Sequence, residues 1–297
     1  MKILIIGSNG FIGKHLMEFY TEASVIGCHT NQNYKKSNCI YVDKLNPDFN
    51  SIFKTHQFDV CINASGSKGV SFSIENPNLD YVLNVENTNC ILNAIKLHTP
   101  KCKFINLSSA AVYGNPKKLP IKEMDNTNPI SPYGKHKLLA ESITTDFHNK
   151  HNLLTCSLRI FSVYGPGLKK QLLWDIYNKT IEAKQNSIYL FGTGTESRDY
   201  IYITDLINAI NLIVDKGGFK GSIYNVANGV QIEIQQISKL LVSSLNDKIK
   251  INFTGEIKKG DPMNWHSNID NLKQLGYEPK ISVKTGVNEY VKWLKKE

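Results

Sequence analysis

Lys2-Ile-Leu-Ile-Ile-Gly7-Ser-Asn-Gly10-Phe-Ile-Gly13 is the stretch that decides the fold. A short apolar run of β-type residues leads directly into three glycines, Gly7, Gly10 and Gly13, and apolar side chains then recur at helical spacing over 12–19. The order is therefore strand, glycine turn, helix. Glycine permits a tight turn and lets the backbone approach a pyrophosphate, whose charge meets the free N–H groups at the start of the helix. The stretch predicts a dinucleotide-binding turn.

The same alternation of strand and helix continues along the first half of the chain. Strands are expected near 24–28, 39–42, 59–63, 103–107 and 153–160, and the main helices near 80–98 and 133–150. Near-continuous apolar strands with helices between them indicate a parallel sheet covered on both faces. We predict an α/β fold, a Rossmann-type doubly wound parallel sheet.

The second half consists of shorter pieces and has no glycine fingerprint of its own. Helices are expected over 168–184, 204–216, 234–245 and 282–295, and strands over 187–190 and 222–226. We predict an NAD(P)-binding domain over 1–160 and a smaller C-terminal α/β substrate lobe over 161–297, with parts of the chain crossing between them.

Composition excludes several classes of protein. The chain has 297 residues, 41% hydrophobic and 21% charged, which rules out disordered, collagenous and disulfide-scaffold proteins. No apolar run approaches the length of a membrane span, and the apolar amino terminus is too short for a signal peptide, so a cytoplasmic protein without a membrane partner is expected. The six cysteines form no C-x-x-C pair, so no metal site is expected. The net charge of +9 comes from scattered lysines without a nucleic-acid motif, which favours anionic small molecules over nucleic acid.

The end of the second predicted strand bears on the choice of cofactor. An acidic residue there normally bonds the adenosine ribose hydroxyl and favours NAD, yet 27–36 contains no Asp or Glu. His29, Lys35 and Lys36 offer attraction to a 2′-phosphate instead. We therefore expect NADP(H) to be preferred; the alternative is a polar, solvated loop with NAD(H) bound.

A phenol and an ammonium are spaced four residues apart in Tyr133-Gly-Lys-His-Lys137. On a helix they share one face, and a nearby cation favours the phenolate, so we expect the pKa of Tyr133 to be lowered toward the working range of an acid–base catalyst. Two hydroxyls, Ser108 and Ser109, lie at the end of a predicted strand upstream.

At this point the chain resembles an extended short-chain dehydrogenase/reductase of the nucleotide-sugar epimerase/dehydratase family over nearly its whole length. The stretches that carry the resemblance are Gly7–Gly13, Asn63–Gly66, Ser73–Pro77, Asn84, Ser108–Gly114, Ser131–Lys137, Tyr164–Gly167, Arg198–Tyr202 and Lys259–Asp261. The resemblance implies that Ser109 is the catalytic hydroxyl, that Tyr133 is the acid/base, and that Lys137 holds the nicotinamide ribose.

The resemblance also implies a set of binding residues. The cofactor-binding residues are Gly7, Asn9, Gly10, Phe11, Ile12, Gly13, His29, Asp43, Ala64, Gly66 and Asn84, with Tyr133 and Lys137. The substrate-binding residues are Ser67, Ser109, Ser162, Arg198 and Lys258.

Some of these positions keep an alternative. Asp43 is expected at adenine but is equally a strand-end or turn carboxylate. Arg198, expected at the diphosphate, is one of only two arginines among the 35 basic residues, which independently suggests a bidentate contact. Lys258 stands where the family carries a second phosphate-binding arginine. The adjacent Lys259 is the alternative residue for that position. Ser162 replaces an asparagine.

Two positions exclude some of the reactions that members of this family catalyse. Ala110-Ala111 stands where dehydratases carry an Asp-Glu pair, and Ala111 stands where bifunctional epimerase/reductases carry a cysteine. A C4 reductase of a 4-keto (6-deoxy) NDP-hexose is the main expectation, because the second strand lacks a carboxylate. An NDP-hexose 4-epimerase with tightly bound NAD and a non-catalytic NAD(P)-binding scaffold are the alternatives. The resemblance also implies a homodimer formed through the helices near 80–98 and 133–150.

Overall fold

A seven-stranded parallel sheet forms the centre of the protein in the computed structural model, which describes residues 1–21, 24–33, 37–67, 69–256 and 260–296. From one edge to the other its strands are β3 (Cys39–Tyr41), β2 (Val25–His29), β1 (Ile3–Ile6), β4 (Val60–Asn63), β5 (Lys103–Ser109), β6 (Thr155–Ile160) and β10 (Lys220–Val226). Every neighbouring pair in this sheet runs parallel.

Helices and two small sheets complete the fold. The helices are α1 (Phe11–Phe19), α2 (Phe49–Thr55), α3 (Val70–Glu75), α4 (Pro77–Tyr81), α5 (Asn87–His98), α6 (Pro132–His151), α7 (Gln171–Ile181), α8 (Ile203–Lys216), α9 (Ile234–Leu245), α10 (Asp270–Gln274) and α11 (Val283–Leu294). One small sheet joins β7 (Ser162–Tyr164), β9 (Ser197–Tyr202) and β11 (Gln231–Glu233), and the other joins β8 (Ser187–Leu190) and β12 (Lys250–Phe253).

The four residues of β1 show why the sheet is covered on both faces. All four are buried and apolar. Because side chains alternate along a strand, Ile3 and Ile5 join one hydrophobic cluster, while Leu4 and Ile6 join a second one with α2 and α5. The predicted doubly wound parallel sheet is confirmed.

The chain returns to the large sheet late in the sequence. The strand expected over 222–226 belongs to β10, which pairs with β6 at the sheet edge, and α8 packs against α1. The division at residue 160 stays a prediction. The short strands β7, β9 and β11 were not predicted, because two of them have three residues and show no apolar alternation long enough to recognise.

The strand order creates the opening for a ligand. β1 lies between β2 and β4, and the chain leaves β1 toward β2, so the connections diverge above the carboxyl ends of β1 and β4. In open α/β sheets ligands bind in such a crevice. Among the described helices, none is both long and apolar enough to cross a bilayer. In the same part of the chain, no group of three His, Cys, Asp or Glu side chains is arranged to hold a metal ion.

Candidate active site

A cavity of about 390 Å³ opens at the carboxyl ends of β1, β4 and β5. Thirteen of the predicted site residues line it: Gly7, Asn9, Gly10, Phe11, Ile12, His29, Asp43, Ala64, Gly66, Ser67, Ser109, Tyr133 and Lys137. The sheet thus brings together residues from six separate stretches of the sequence.

The glycine turn leaves space for a dinucleotide. A Cβ added to Gly13 would lie 2.1 Å from the Gly7 carbonyl oxygen, so only glycine lets α1 pack this close to the turn. A Cβ on Gly10 would meet one atom within 4 Å, the same oxygen at 3.2 Å, and otherwise open space. α1 begins without a side-chain cap and without an acidic residue in its first turn. Free N–H groups and open space beside a helix start fit a pyrophosphate.

Local sequence sets the position of Tyr133 at the start of α6. Ser131 caps the helix by accepting from the Gly134 N–H at 3.1 Å, and a proline occupies the first turn. Gly134 is required because a Cβ there would lie 2.5 Å from the Ala111 carbonyl oxygen. Tyr133 is thereby held beside the end of β5, close enough to the Ser109 hydroxyl for that group to lower the pKa of the phenol.

Lys137 lies one helical turn further along α6 and is buried. Its ammonium donates to the Leu107 carbonyl at 2.9 Å and lies 5.8 Å from the centre of the Tyr133 ring. The structure therefore assembles the predicted serine, tyrosine and lysine in one cavity. Their catalytic roles remain predictions.

The electrostatics differ from the sequence-based expectation. Burial raises the pKa of Tyr133 to about 12, opposed by the Ser109 hydrogen bond and reinforced by the charge of Asp80. Burial likewise lowers the pKa of Lys137 to about 8, while Asp80 and Glu141 act in the opposite direction. In the protein alone, desolvation has the largest effect on the phenol, so the expectation of a lowered Tyr133 pKa is wrong for this state.

The other end of the cavity holds the residues expected at adenosine. His29 ends β2 and is buried, which lowers its pKa and disfavours the charged ring. Burial therefore weakens the attraction to a 2′-phosphate that was expected of His29. Lys35 and Lys36 lie outside the described residues. The Asp43 carboxylate accepts the N–H groups of Leu45 and Asn46 at 2.8 Å each, so it makes a turn as well as lining the cavity.

Four predicted residues do not line the cavity, and Lys258 lies outside the described residues. Gly13 acts through packing, as above. Asn84 is buried next to the site, where its amide nitrogen donates to the Asp80 carbonyl at 2.9 Å. Ser162 lies in β7, in register with a residue of β9. Arg198 donates to the Ser197 and Met263 carbonyls and lies 5.5 Å from the centre of the Trp265 ring.

Sequence reasoning missed two lysines of the cavity. Lys44 lies at the adenosine end, directly after Asp43, and Lys170 lies near Lys137, which its charge affects. Burial lowers the pKa of Lys170 as well. The sequence did offer one signal for Lys170, namely its position three residues after the Tyr164–Gly167 motif.

A buried ion pair supports the end of β5. Arg159 pairs with Glu141 at 2.7 Å through two of its nitrogens, and donates to the Tyr113 hydroxyl at 2.9 Å. Glu141 also accepts from the Ser108 hydroxyl at 2.5 Å. The pair joins α6 to β5 and β6, so it fixes the two elements that carry Ser109 and Tyr133. Arg159 therefore has a structural role in the protein.

Comparison with known proteins places this geometry in a family. A sequence profile described as the NAD dependent epimerase/dehydratase family matches residues 3–227. UDP-glucuronate 4-epimerase 4 of Arabidopsis thaliana is 26% identical, covering 98% of this chain and 74% of the plant protein.

Two solved structures show the same fold over the full length. UDP-glucose 4-epimerase of Thermotoga maritima, with UDP-glucose, is 26% identical with a TM-score of 0.90 and covers 100% of this chain and 99% of its own. UDP-glucuronic acid 4-epimerase of Bacillus cereus, in complex with UDP-glucuronic acid and NAD, is 27% identical with a TM-score of 0.88 and the same coverage. The chain belongs to the NAD dependent epimerase/dehydratase family and is an enzyme of the extended short-chain dehydrogenase/reductase type.

Proposed function

We propose that this chain is an NAD-dependent 4-epimerase of UDP-hexoses. The observation that carries the proposal is the placement of Ser109, Tyr133 and Lys137 in one cavity with the glycine turn. A hydroxyl pair of this kind can take a proton from a sugar hydroxyl and return it. The named relatives with 26–27% identity act on UDP-glucose or UDP-glucuronate, which supports UDP as the nucleotide.

Each residue of the site has a role that follows from its position. Tyr133 takes the proton of the C4 hydroxyl and later returns it, and Ser109 hydrogen-bonds the C4 oxygen. Lys137, protonated, stabilises the phenolate and holds the cofactor ribose. The turn from Gly7 to Gly13 holds the pyrophosphate. When bound, NAD supplies a reversible two-electron acceptor beside the sugar.

The comparisons favour this alternative over the C4 reductase that was the main expectation. The relatives described above are 4-epimerases, and the Bacillus cereus structure contains NAD. Burial lowers the pKa of His29, which weakens one of the three groups expected to attract a 2′-phosphate. One observation still favours a reductase using NADP(H): β2 ends in His29-Thr30 without a carboxylate, and Lys44 lines the same end of the cavity.

The decisive experiment follows the hydrogen at C4. Purified protein is incubated with UDP-glucose, UDP-glucuronate and UDP-N-acetylglucosamine deuterated at C4, with NAD but without a reductant, and products are identified by NMR. We expect a 4-epimer that retains deuterium, because the hydrogen removed from C4 is returned to the same carbon. Tyr133→Phe is expected to abolish turnover while leaving NAD affinity close to that of the wild type.

Two outcomes would contradict the proposal. NADPH-dependent reduction of a 4-keto sugar, with no epimer from any of the three substrates, identifies the reductase instead. Bound NAD with no turnover of either kind identifies the non-catalytic scaffold.

We also propose a homodimer formed through α5 and α6. The two helices pack against each other, and each exposes one leucine on its outer side: Leu97 is 68% exposed and Leu139 is 46% exposed. Sedimentation of the wild type beside Leu97→Glu/Leu139→Glu tests this surface. A wild-type monomer would remove the proposal.

A further inference from the structure

Asp80 is a completely buried carboxylate next to the catalytic residues. It lies on α4, and its two oxygens have different partners. One accepts the Ser67 hydroxyl, and the other lies 2.5 Å from His136 Nδ1. Since His136 lies on α6 between Tyr133 and Lys137 in the sequence, Asp80 joins three elements of the site: the loop after β4, α4 and α6.

Among the described residues, the contacts of Ser67 leave one lone pair of its hydroxyl oxygen unused. A serine hydroxyl has one hydrogen to donate and two lone pairs to accept. The hydrogen goes to Asp80, and the amide nitrogen of Asn84 donates to the oxygen at 3.3 Å. Ser67 lines the cavity, so its remaining lone pair is available to a ligand. In this arrangement Ser67 accepts a hydrogen bond from a ligand hydroxyl and does not donate to one.

Asp80 also contributes to the charge balance around Lys137. The charged groups that act on Lys137 are Asp80 from α4, Glu141 from α6 itself and Lys170 from the segment before α7. Glu141 is already paired with Arg159 at 2.7 Å. Removal of the negative charge at Asp80 therefore lowers the pKa of Lys137 further below its present value of about 8.

We propose that Asp80, held on α6 by His136, is a positioning residue of the active site. It fixes Ser67 as an acceptor for a sugar or ribose hydroxyl and balances the positive charge of Lys137. The identity of the hydroxyl as one of a UDP-hexose or of NAD rests on the proposed function, whereas the effect on Lys137 does not.

The first test measures Lys137 directly. Protein labelled with ¹³C at the lysine ε-carbons is titrated by NMR with NAD bound, and the Lys137 signal is assigned by its loss in Lys137→Arg. We expect Asp80→Asn to lower the titration midpoint of Lys137 by about one pH unit, the usual effect of one opposite charge nearby. Asp146→Asn is the matched control, because this substitution removes the same charge from α6, where Asp146 forms an exposed pair with Lys150.

The second test uses kinetics of the epimerase reaction. Because Asp80 raises the pKa of Tyr133, Asp80→Asn is expected to move the acidic limb of the kcat/KM profile to lower pH. A less firmly fixed Ser67 acceptor is expected to raise KM by up to about tenfold, the contribution of one hydrogen bond between neutral hydroxyls. His136→Ala is expected to raise KM in the same way, and His136→Gln to restore it, since the glutamine amide still donates to Asp80.

The outcomes separate this inference from the proposed function. An unchanged Lys137 midpoint in Asp80→Asn overturns the inference, whether or not the wild type epimerises any sugar. A wild type without epimerase activity overturns the proposed function, and the NMR titration then decides on Asp80 alone. Should Asp80→Asn fail to fold, His136→Ala and Ser67→Ala decide: equal KM values for both variants and the wild type overturn the inference.

Discussion

The glycine turn gives two single-methyl substitutions with opposite expected effects. In Gly10→Ala the new methyl has room, because Gly10 has φ −76° and ψ 173°, which alanine adopts readily, and meets only the Gly7 carbonyl oxygen at 3.2 Å. The methyl extends into the cavity where the pyrophosphate is expected. In Gly13→Ala the methyl would lie 2.1 Å from the same oxygen and 2.8 Å from the carbon that bears it. Backbone atoms cannot rotate away, so α1 must shift from β1.

The magnitudes follow from these contacts. Overpacking at Gly13 costs about 3 kcal/mol, of which about 1 kcal/mol is offset by the better helix propensity of alanine, so about 2 kcal/mol of unfolding free energy is lost. At Gly10 the loss of a preferred cap residue is about 1 kcal/mol or less. There, one lost charge-assisted hydrogen bond to the pyrophosphate weakens NAD binding about 10- to 100-fold.

Urea unfolding and calorimetric titration with NAD separate the two effects. Gly218→Ala is the control, because its methyl would meet only side-chain oxygens at 3.2 and 3.4 Å, in the loop before β10. We expect Gly10→Ala to be nearly as stable as the wild type but to bind NAD weakly, and Gly13→Ala to be clearly less stable. The reasoning is refuted if Gly10→Ala binds NAD as the wild type does, or if Gly13→Ala is equally stable.

Three further predictions test other parts of the site. Glu141→Gln is expected to lower the free energy of unfolding by about 3 kcal/mol, because it leaves the buried Arg159 guanidinium without a counter-charge. A loss below about 1 kcal/mol, measured by urea unfolding, would contradict a buried pair of this strength. The difference spectrum between cofactor-free wild type and Tyr133→Phe is expected to show no phenolate absorbance below about pH 10. The reason is that burial disfavours the charged form and raises the pKa of Tyr133 to about 12. A phenolate band at about pH 8 would show that the effect of Lys137 is larger than that of desolvation. Arg198→Lys is expected to raise KM for the nucleotide sugar about tenfold with kcat unchanged, because lysine cannot make the bidentate diphosphate contact that the resemblance implies for Arg198, and such a contact is equal in ground and transition states. An unchanged KM would place Arg198 outside the substrate site.

Much of the fold and of the candidate site could be predicted from local sequence. The apolar run of β1, the glycine spacing after it and the i, i+4 spacing of Tyr133 and Lys137 are all short-range patterns. Each of these patterns is compatible with one local backbone geometry. The order of the strands in the sheet then brings the residues of the three patterns together. For that reason thirteen predicted residues line one cavity although they lie in six stretches.

The features that were missed depend on contacts between distant parts of the chain. Nothing in the sequence around Asp80 shows that its carboxylate meets His136, 56 residues later. The directions of the pKa shifts of Tyr133 and His29 depend on burial, which a motif does not reveal. Burial therefore weakens the attraction expected of His29, even though the residue lies at the end of β2.

The pairing of β10 with β6 affects how the protein can be synthesised and divided. A nascent chain that has left the ribosome only as far as residue 219 has six of the seven strands, and β6, which is buried in the complete fold, then presents an open row of N–H and C=O groups. Such an edge readily recruits strands of other chains. Truncation at residue 160 is therefore expected to yield aggregates, whereas a fragment extending past Val226 closes the sheet.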